Sequence, residues 1–362
     1  MQEIKDKIQQ WAQELGFQET GFSNLDLTAH EDYLRAWLSN GFQGSMTYMA
    51  RNQELRVQPQ ELLTGSISAI TVRMDYLPES GHQRIRNNLK SKEFAYVSRY
   101  ALGRDYHKVI RAKLKRLASQ INDHINVKNL GPFYSRACTD SAPILEKHLA
   151  EKSGLGWIGK NTLLMNRSAG SWFFLGELLT NLPLTQTVER PSNHCGSCTA
   201  CLSICPTQAI VAPYVLDARK CISYLTIENR GTIPKALRNA IGNRIFGCDD
   251  CQLVCPWNRY AQTSQETDFQ PRHKLDKSTL LDLFQWSEAE FSINTAGSAI
   301  RRTGYNGWLR NIAVALGNAP GSSLIQKALI AKQTDCSEMV AEHIEWAIHQ
   351  QAVKLSAYKQ SN

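Results

Sequence analysis

A run of four cysteines within eleven residues restricts what this chain can fold into more than any other feature. The segment 194–206 reads HCGSCTACLSICP, with Cys195, Cys198, Cys201 and Cys205 and a proline directly after the last cysteine. In proteins with this CxxCxxCxxxCP spacing, three thiolates hold one [4Fe-4S] cluster and the fourth holds its neighbour. The motif therefore predicts a second group of cysteines elsewhere in the chain.

That second group is present, because Cys248, Cys251 and Cys255 with Pro256 repeat the last three cysteines of the motif. The position that matches the first cysteine is Ile245, so we expect the isolated Cys221 to supply the missing ligand. The sequence predicts two [4Fe-4S] clusters. Their predicted ligands are Cys195, Cys198, Cys201 and Cys255 in one cluster and Cys205, Cys221, Cys248 and Cys251 in the other.

A zinc site is the alternative for any pair of CxxC motifs. Eight cysteines with two CP endings favour the two clusters over zinc. Cys138 and Cys336 fall outside the set, and we expect each to be a small buried hydrophobic residue.

Length and composition indicate a globular protein of two or three domains in 362 residues. The segment after Met1 is polar and amphipathic, which argues against a secretion signal, and the sequence has no apolar run of about 18 residues. We expect a cytoplasmic monomer that does not bind a membrane. In such a reducing compartment, clustered cysteines more often bind metal than form disulfides.

The periodicity predicts an α+β fold in three domains: a mixed domain at 1–183, a ferredoxin-type module at 184–260 and a helical, HEAT-like region at 261–362. Helices are expected at 3–14, 30–39, 306–320 and 340–355, strands at 66–77, 94–100 and 133–138, and a hairpin at 161–179. Ile110, Leu114, Leu117 and Ile121 predict the buried stripe of a further helix.

The segment from Arg84 to Arg116 is strongly basic, with eleven Lys or Arg residues against two acids. One interpretation is a solvated helix face, and the other is a docking surface for a polyanion. The second interpretation would place these side chains on phosphates: Arg99, Arg104, Lys108, Arg111, Lys113 and Lys115.

Several longer segments resemble the epoxyqueuosine reductase family, and together they span nearly the whole chain. They are NQELRVQPQELL (52–63), RYALGRDYHKVI (99–110), DSAPILEKHLAEKSGLGWIGKNTLL (140–164), CISYLTIENRGTIP (221–234) and GYNGWLRNIAVALGN (304–318). The resemblance implies an enzyme that uses cob(II)alamin and two [4Fe-4S] clusters, with electrons from an external low-potential donor. The implied reaction is the last step of queuosine biosynthesis, in which the epoxide of epoxyqueuosine is reduced at the wobble position of tRNA.

The resemblance also implies roles for individual residues. Asp140, the first residue of the DSAP segment, would be the general acid, and we expect a site dry enough to keep its carboxyl protonated. An alternative is that Asp140 caps a helix at Ala142–Glu151. The implied contacts to cobalamin are Arg56, Asp140, Lys160, Asn161, Ser171 and Ser223.

Two other functional classes stay open at the level of sequence. A reductive dehalogenase-like enzyme would share the corrinoid and the clusters but would act on a small molecule. A non-catalytic iron-sulfur electron carrier would bind no corrinoid. The sequence has no GxGxxG after a strand and no Walker A loop, so a nucleotide site has no support.

The cluster assignment predicts the metal content. Protein purified without oxygen should contain about eight iron and eight acid-labile sulfide ions per chain. Cys221→Ser should remove about half of the iron, because one cluster loses a ligand. Cys138→Ser is the matched control and should remove none. Zinc without sulfide would contradict the assignment.

Overall fold

The computed structural model describes residues 1–78, 87–185 and 194–361, and its mixture of helices around a sheet confirms the α+β class. The α-helices span Gln2–Glu14, Glu31–Ser39, Thr47–Arg51, Gln53–Val57, Tyr106–Val127, Glu146–Lys152, Ala200–Ile204, Ile222–Ile227, Lys235–Ile241, Asp250–Leu253, Leu280–Phe284, Glu288–Asn294, Gly304–Asn318, Ser323–Gln333 and Glu338–Ser361. The strands are β1 Glu19–Asn24, β2 Ser68–Asp75, β3 Tyr96–Val97, β4 Ser135–Cys138, β5 Trp157–Ile158, β6 Leu164–Met165, β7 Phe173–Thr180, β8 Ile210–Ala212, β9 Val215–Leu216 and β10 Arg244–Phe246. Within the described ranges, no helix has the length and apolar character needed to cross a bilayer.

A four-stranded antiparallel sheet, in the order β1-β2-β7-β4, forms the centre of the N-terminal half. Side chains alternate between the two faces of a strand, so the neighbours Leu178 and Leu179 point in opposite directions. Leu178 belongs to the core beneath helices Gln2–Glu14 and Tyr106–Val127. Leu179 belongs to the core on the other face, beside helix Glu146–Lys152. The sheet is therefore covered by helices on both faces.

The long helix Tyr106–Val127 confirms the predicted apolar stripe. Ile110, Leu114, Leu117 and Ile121 are all fully buried against the sheet. Because these residues recur at helical spacing, one face of the helix is apolar and the other is left to its Lys and Arg residues.

The segment 94–100 differs from the strand predicted for it. Only β3 forms there, and it pairs in parallel with β10 instead of joining the central sheet. Ala95, Val97 and Leu102 pack into the core of the C-terminal helices. The predicted domain boundaries stay predictions, but this core contains residues from all three predicted domains.

The hairpin predicted for residues 161–179 is wrong in its pairing. β6 pairs with β5, while β7 pairs with β2 and β4. A single bridge between Asn166 and Gly170 closes the predicted turn. The eight residues of β7 find a full-length ladder on β2, which the two residues of β6 cannot match.

The C-terminal helices Gly304–Asn318 and Glu338–Ser361 confirm the two helices predicted in this region and pack against each other. Gly317 lies one residue before the end of helix Gly304–Asn318. A Cβ atom on Gly317 would be 2.4 Å from a ring carbon of Trp346. The glycine therefore permits the close approach of the two helices.

Arg310, on helix Gly304–Asn318, ties the C-terminal region to the chain after Cys221. Its fully buried guanidinium donates to the backbone carbonyls of Leu225, Asn229 and Gly231 at 2.8, 2.7 and 2.7 Å. Burial lowers the pKa of Arg310 to about 10, so the side chain is still charged at neutral pH. These bonds fix the loop that follows a predicted cluster ligand.

Candidate active site

The first predicted cysteine quartet lies around one small cavity of about 210 Å³. The cysteines that line it are Cys195, Cys198, Cys201 and Cys255. Three of them come from the loop and helix ending at Ile204, and the fourth follows helix Asp250–Leu253. The two helices pack against each other, which brings the distant cysteine to the loop. Four thiols around one space fit the ligand requirement of a [4Fe-4S] cluster.

The second predicted quartet lies around a larger cavity of about 410 Å³, which we call the main cavity. The cysteines that line it are Cys205, Cys221, Cys248 and Cys251. The backbone N–H of Ala209 donates to the sulfur of Cys205 at 3.2 Å, a contact of the kind that tunes cluster potentials. The structure thus brings together the same two sets of four cysteines, and their role as ligands stays a prediction.

The main cavity extends from the cysteines to the end of the central sheet, where Asp140 lies. Most of the surface of its walls is apolar, with contributions from Tyr76, Leu164, Phe173, Phe174, Ile210 and Leu216. An apolar cavity with a few polar groups is the usual environment of a large organic cofactor. The residues present therefore fit a corrinoid.

Three of the predicted cobalamin contacts, Asn161, Ser171 and Ser223, line the main cavity together with Asp140. Arg56 lies outside it and lines a neighbouring cavity of about 620 Å³, which Asp140 also lines. Arg56 itself is buried, with one guanidinium nitrogen 3.4 Å from the carbonyl of Tyr48.

The structure does not support the prediction that Lys160 contacts cobalamin. Its ammonium group donates to the backbone carbonyls of Gly196 and Cys198 at 2.6 and 2.9 Å. Lys160 lines the cavity of the first quartet and is not among the residues of the main cavity. Its position indicates that it holds the loop of the first quartet in place.

Asp140 lies in a hydrogen-bond network at the edge of the main cavity. Tyr106 Oη donates to Asp140 Oδ2 at 2.9 Å, and His107 Nε2 lies 2.8 Å from the same oxygen. The other ring nitrogen of His107 lies 2.8 Å from Asp105 Oδ1. The carboxyl of Asp140 is half exposed because it faces the open cavity. A proton can therefore move between His107 and Asp140 within one hydrogen bond.

The expectation that Asp140 itself stays protonated is wrong. Burial acts to raise the pKa of Asp140, but the hydrogen bonds from His107 and Tyr106 hold it below its usual range. Burial acts to lower the pKa of His107, but the hydrogen bonds with Asp105 and Asp140 raise it to about 9. At neutral pH the proton therefore resides on His107, and Asp140 is ionised.

The alternative role of Asp140 as a helix cap is also wrong. The helix begins at Glu146, with Leu145 as its N-cap, and not at the predicted Ala142. Asp140 has φ +53°, in the left-handed region that aspartate tolerates better than most residues. The four residues between Asp140 and Leu145 form an irregular loop that points the carboxyl into the cavity.

Part of the basic segment does not form a surface. Arg99 is 2% exposed, so the prediction that it contacts phosphate is wrong, because a buried guanidinium cannot reach a docked polyanion. Lys113 pairs with Glu266 at 2.8 Å, and Arg104 pairs with Asp268 at 3.0 Å. These two pairs neutralise the charges of Lys113 and Arg104.

The rest of the segment is closer to a docking surface. Lys108 and Lys115 are exposed on helix Tyr106–Val127. The guanidinium of Arg111 donates to Ser141 Oγ at 2.9 Å, beside Asp140. The residues of the segment before position 87 lie outside the described part of the chain.

Sequence reasoning missed four side chains of this site: Tyr106, His107, Glu146 and Glu177. Glu146 lies within the DSAP segment, where its charge resembles that of an ordinary surface residue. Glu177 gives a clearer signal, because it is a single acid in the apolar run FFLGELLT. A buried strand with one carboxyl indicates a group whose burial requires a specific partner.

The pKa of His107 predicts a pH-dependent stability. Because the folded pKa of about 9 exceeds the ordinary 6.5, the contribution of His107 is complete below pH 6.5 and is lost as the pH rises through about 9. Thermal unfolding of His107→Gln should therefore differ most from wild type near about pH 6 and little near about pH 10. His349→Gln, at an exposed site, is the control. A difference that does not change with pH would contradict the assignment.

Two family models match parts of the chain. The model described as 4Fe-4S double cluster binding domain matches residues 194–258, which contain all eight predicted ligands. The model described as Epoxyqueuosine reductase QueG, DUF1730, matches residues 56–141, which end just after Asp140. The first match shows that the chain carries a domain for two [4Fe-4S] clusters.

Curated relatives are similar over nearly their whole length. The epoxyqueuosine reductase of Pseudomonas aeruginosa is 55% identical over 345 residues, which cover 95% of this chain and 94% of the relative. The epoxyqueuosine reductase of Escherichia coli is 52% identical over 358 residues, which cover 99% and 92%.

Solved structures share the fold. An epoxyqueuosine reductase from Bacillus subtilis, with its catalytic loop swung out of the active site, has a TM-score of 0.82 at 26% identity and covers 99% of this chain and 95% of that chain. An epoxyqueuosine reductase with an epoxyqueuosine-modified tRNA-Tyr stem loop has a TM-score of 0.77 at 25% identity and covers 97% and 99%.

The similarity to these relatives is not confined to the cysteine motif, since it extends through the sheet, the Asp140 loop and the C-terminal helices. With more than half of its residues identical over nearly its whole length, this chain belongs to the epoxyqueuosine reductase family of oxidoreductases.

Proposed function

We propose that this chain reduces epoxyqueuosine in tRNA to queuosine. The observation that carries the proposal is that one cavity is lined both by the second cysteine quartet and by Asp140. Removal of the epoxide oxygen as water breaks both C–O bonds and forms a C=C bond, so it consumes two electrons and two protons. A cavity with an electron source on one side and a proton source on the other suits this reaction.

Cobalamin is the proposed occupant of the main cavity. Asn161, Ser171 and Ser223 would bind its polar groups, and the aromatic walls would exclude water around it. When bound, cobalamin supplies a strongly nucleophilic centre of low potential that can attack an epoxide carbon.

The two clusters are proposed to carry electrons inward from an external low-potential donor. Cys198, in the first quartet, is exposed, so this cluster is the one that a donor can approach. The second quartet lines the main cavity, so a cluster held there would lie nearest to a cofactor bound in that cavity. Cubane potentials extend to about −700 mV, which suits this direction of flow.

The proposed proton path runs from His107 to Asp140 and then to the epoxide oxygen. His107 holds the proton at neutral pH, and its Nε2 lies 2.8 Å from Asp140 Oδ2. Tyr106 donates to the same oxygen and keeps the carboxyl pointed at the cavity. The second proton can follow the same path once His107 is recharged from solvent.

The loop that carries Asp140 is proposed to have more than one position. Support comes from the Bacillus subtilis relative, in which the catalytic loop is swung out of the active site. Delivery of the proton would require the loop to be held at the cavity. The contacts that hold it are therefore part of the catalytic arrangement.

The tRNA is proposed to approach at a third cavity, of about 670 Å³, which opens beside Asp140. This cavity is lined by His107, Lys108, Arg301 and Arg302 as well as by Glu228, which pairs with Arg302 at 2.9 Å. Basic side chains around an opening suit a polyanion whose modified base must enter while its phosphates stay outside. The related structure with a tRNA stem loop supports the same class of partner.

Neither alternative function is favoured by the described residues. A non-catalytic electron carrier would need neither the main cavity nor the His107–Asp140 pair. A dehalogenase-like enzyme for small molecules would not need the basic opening at Lys108 and Arg301.

Replacement of Asp140 tests the proposed chemistry. Wild-type protein with both clusters and cobalamin should convert epoxyqueuosine-tRNA to queuosine-tRNA in a single turnover with a chemical reductant. Asp140→Asn keeps the size of the side chain but cannot pass on a proton, so conversion should fall by about 10² to 10⁴. Asp123→Asn, the same change at an exposed aspartate on helix Tyr106–Val127, is the control. Near-normal conversion by Asp140→Asn would leave the proton donor elsewhere.

Salt dependence tests the proposed tRNA surface. Lys108→Glu and Arg301→Glu should each weaken binding and lower the slope of log affinity against log salt by about 0.7 to 0.9, since each removes one phosphate contact. Lys128→Glu, an exposed charge just beyond the opposite end of the Lys108 helix, should leave the slope unchanged. An equal effect of all three substitutions would instead indicate a general effect of net charge.

A further inference from the structure

Two acids beneath Asp140, Glu146 and Glu177, have no part in the proposed chemistry. Glu177 is 0% exposed and lies on β7, on the face of the sheet that carries Leu175 and Leu179. That face packs against helix Glu146–Lys152, which begins with the other acid. A carboxyl at this depth must be either paired with a cation or neutral.

Among the described residues, no Lys, Arg or His forms an ion pair with Glu177, and its titratable neighbours are acidic. In the sheet it lies opposite Thr71 of β2 and Cys138 of β4. Burial raises the pKa of Glu177 well above its usual range, and the nearby Glu146, Cys138 and Asp140 raise it further. Glu177 is therefore a neutral carboxylic acid at neutral pH.

Glu146 connects Glu177 to the Asp140 loop. Its Oε1 accepts the backbone N–H of Asp140, and its carboxyl lies near that of Glu177, whose two oxygens are buried and accept no hydrogen bond from the described residues. Two ionised carboxylates cannot share such a contact, so the pair must hold a proton. Burial, followed by the charge of Asp140, raises the pKa of Glu146 to about 8, so Glu146 is also largely protonated at neutral pH.

We propose that Glu177 is a positioning residue for the reaction: as a neutral acid it donates a hydrogen bond to Glu146, and Glu146 in turn holds the backbone of Asp140 at the main cavity. The inference rests on the proposed function of this site, because it assigns a role to the residues that hold the proton donor. According to this proposal, the Asp140 loop keeps its position only while Glu177 is protonated.

The backbone at Asp140 explains why such an acceptor is needed. A non-glycine residue with φ +53° is in a strained conformation, which persists only where the surroundings hold it. In the described residues the backbone N–H of Asp140 is bonded to Glu146. Without that acceptor, the backbone at Asp140 would move to a more favourable conformation, and its carboxyl would no longer point into the main cavity.

Two substitutions of Glu177 test whether its side chain acts as a neutral hydrogen-bond donor. Glu177→Gln keeps the shape and supplies an N–H donor to Glu146, so single-turnover conversion should stay within about threefold of wild type. Glu177→Leu removes the donor, and conversion should fall by about 10²-fold, which is typical when a reacting group is misplaced by about 1 Å. Leu179→Met, on the same face of β7, is the packing control.

A second readout does not depend on catalysis. Hydrogen exchange of the segment 139–145 reports the Asp140 amide, which Glu146 protects. Exchange should become faster in Glu177→Leu and in Glu146→Leu and should stay at the wild-type rate in Glu177→Gln. The double variant should exchange no faster than either Leu variant, because both substitutions break the same chain of contacts.

Each outcome decides the proposal. Equal loss in Glu177→Gln and Glu177→Leu would overturn it, because a neutral donor would then not be enough. Wild-type conversion and exchange in Glu177→Leu would overturn it as well. If the Leu variant failed to fold, Glu146→Leu would carry the same test. If wild-type protein did not convert epoxyqueuosine-tRNA at all, the proposed function would fail, whereas the exchange result would still decide the role of Glu177.

Discussion

The structure depends on the requirement that each [4Fe-4S] cluster takes four thiolates from segments far apart in the chain. Cys255 must return to the loop of Cys195, and Cys205 must reach the segment of Cys248. The two cysteine segments therefore interlock through their short helices. One consequence is that the second quartet faces the central sheet, which creates the main cavity between the two. The position of the site follows from the ligand pattern.

Local patterns in the sequence predict a large part of this arrangement. Seven of the eight cysteines follow from the motif spacing, and Cys221 follows from the need of the second cluster for a fourth ligand. The buried stripe from Ile110 to Ile121 follows from the helical period. Asn161, Ser171 and Ser223 at the main cavity follow from the family resemblance and not from any pattern of their own.

The parts that sequence reasoning missed depend on pairing between distant segments. The sequence before β7 offers an apolar run across a turn as a possible hairpin partner. The distant strand β2 pairs with β7 instead, and local sequence does not reveal this. His107 and Asp140 are 33 residues apart and meet because β4 leads into a loop with a left-handed residue. The charge state of Asp140 depends on that meeting, so the sequence predicted a protonated acid where the proton lies on its neighbour. The contacts of Lys160 were not foreseen, because a lysine in a glycine-rich turn gives no sign of which carbonyls it will reach.

The buried Arg310 bears on how such a protein can be rebuilt or divided. Its guanidinium takes the place of water for three carbonyls that belong to the electron-carrying segment. The helical core around it also includes Val97 and Phe246, which come from the two preceding regions. A free-standing ferredoxin cut from this chain would expose that core. The three carbonyls would also lose the hydrogen bonds that Arg310 donates. A designer who wishes to transplant the two-cluster module must therefore move the C-terminal helices with it or supply new donors for those carbonyls.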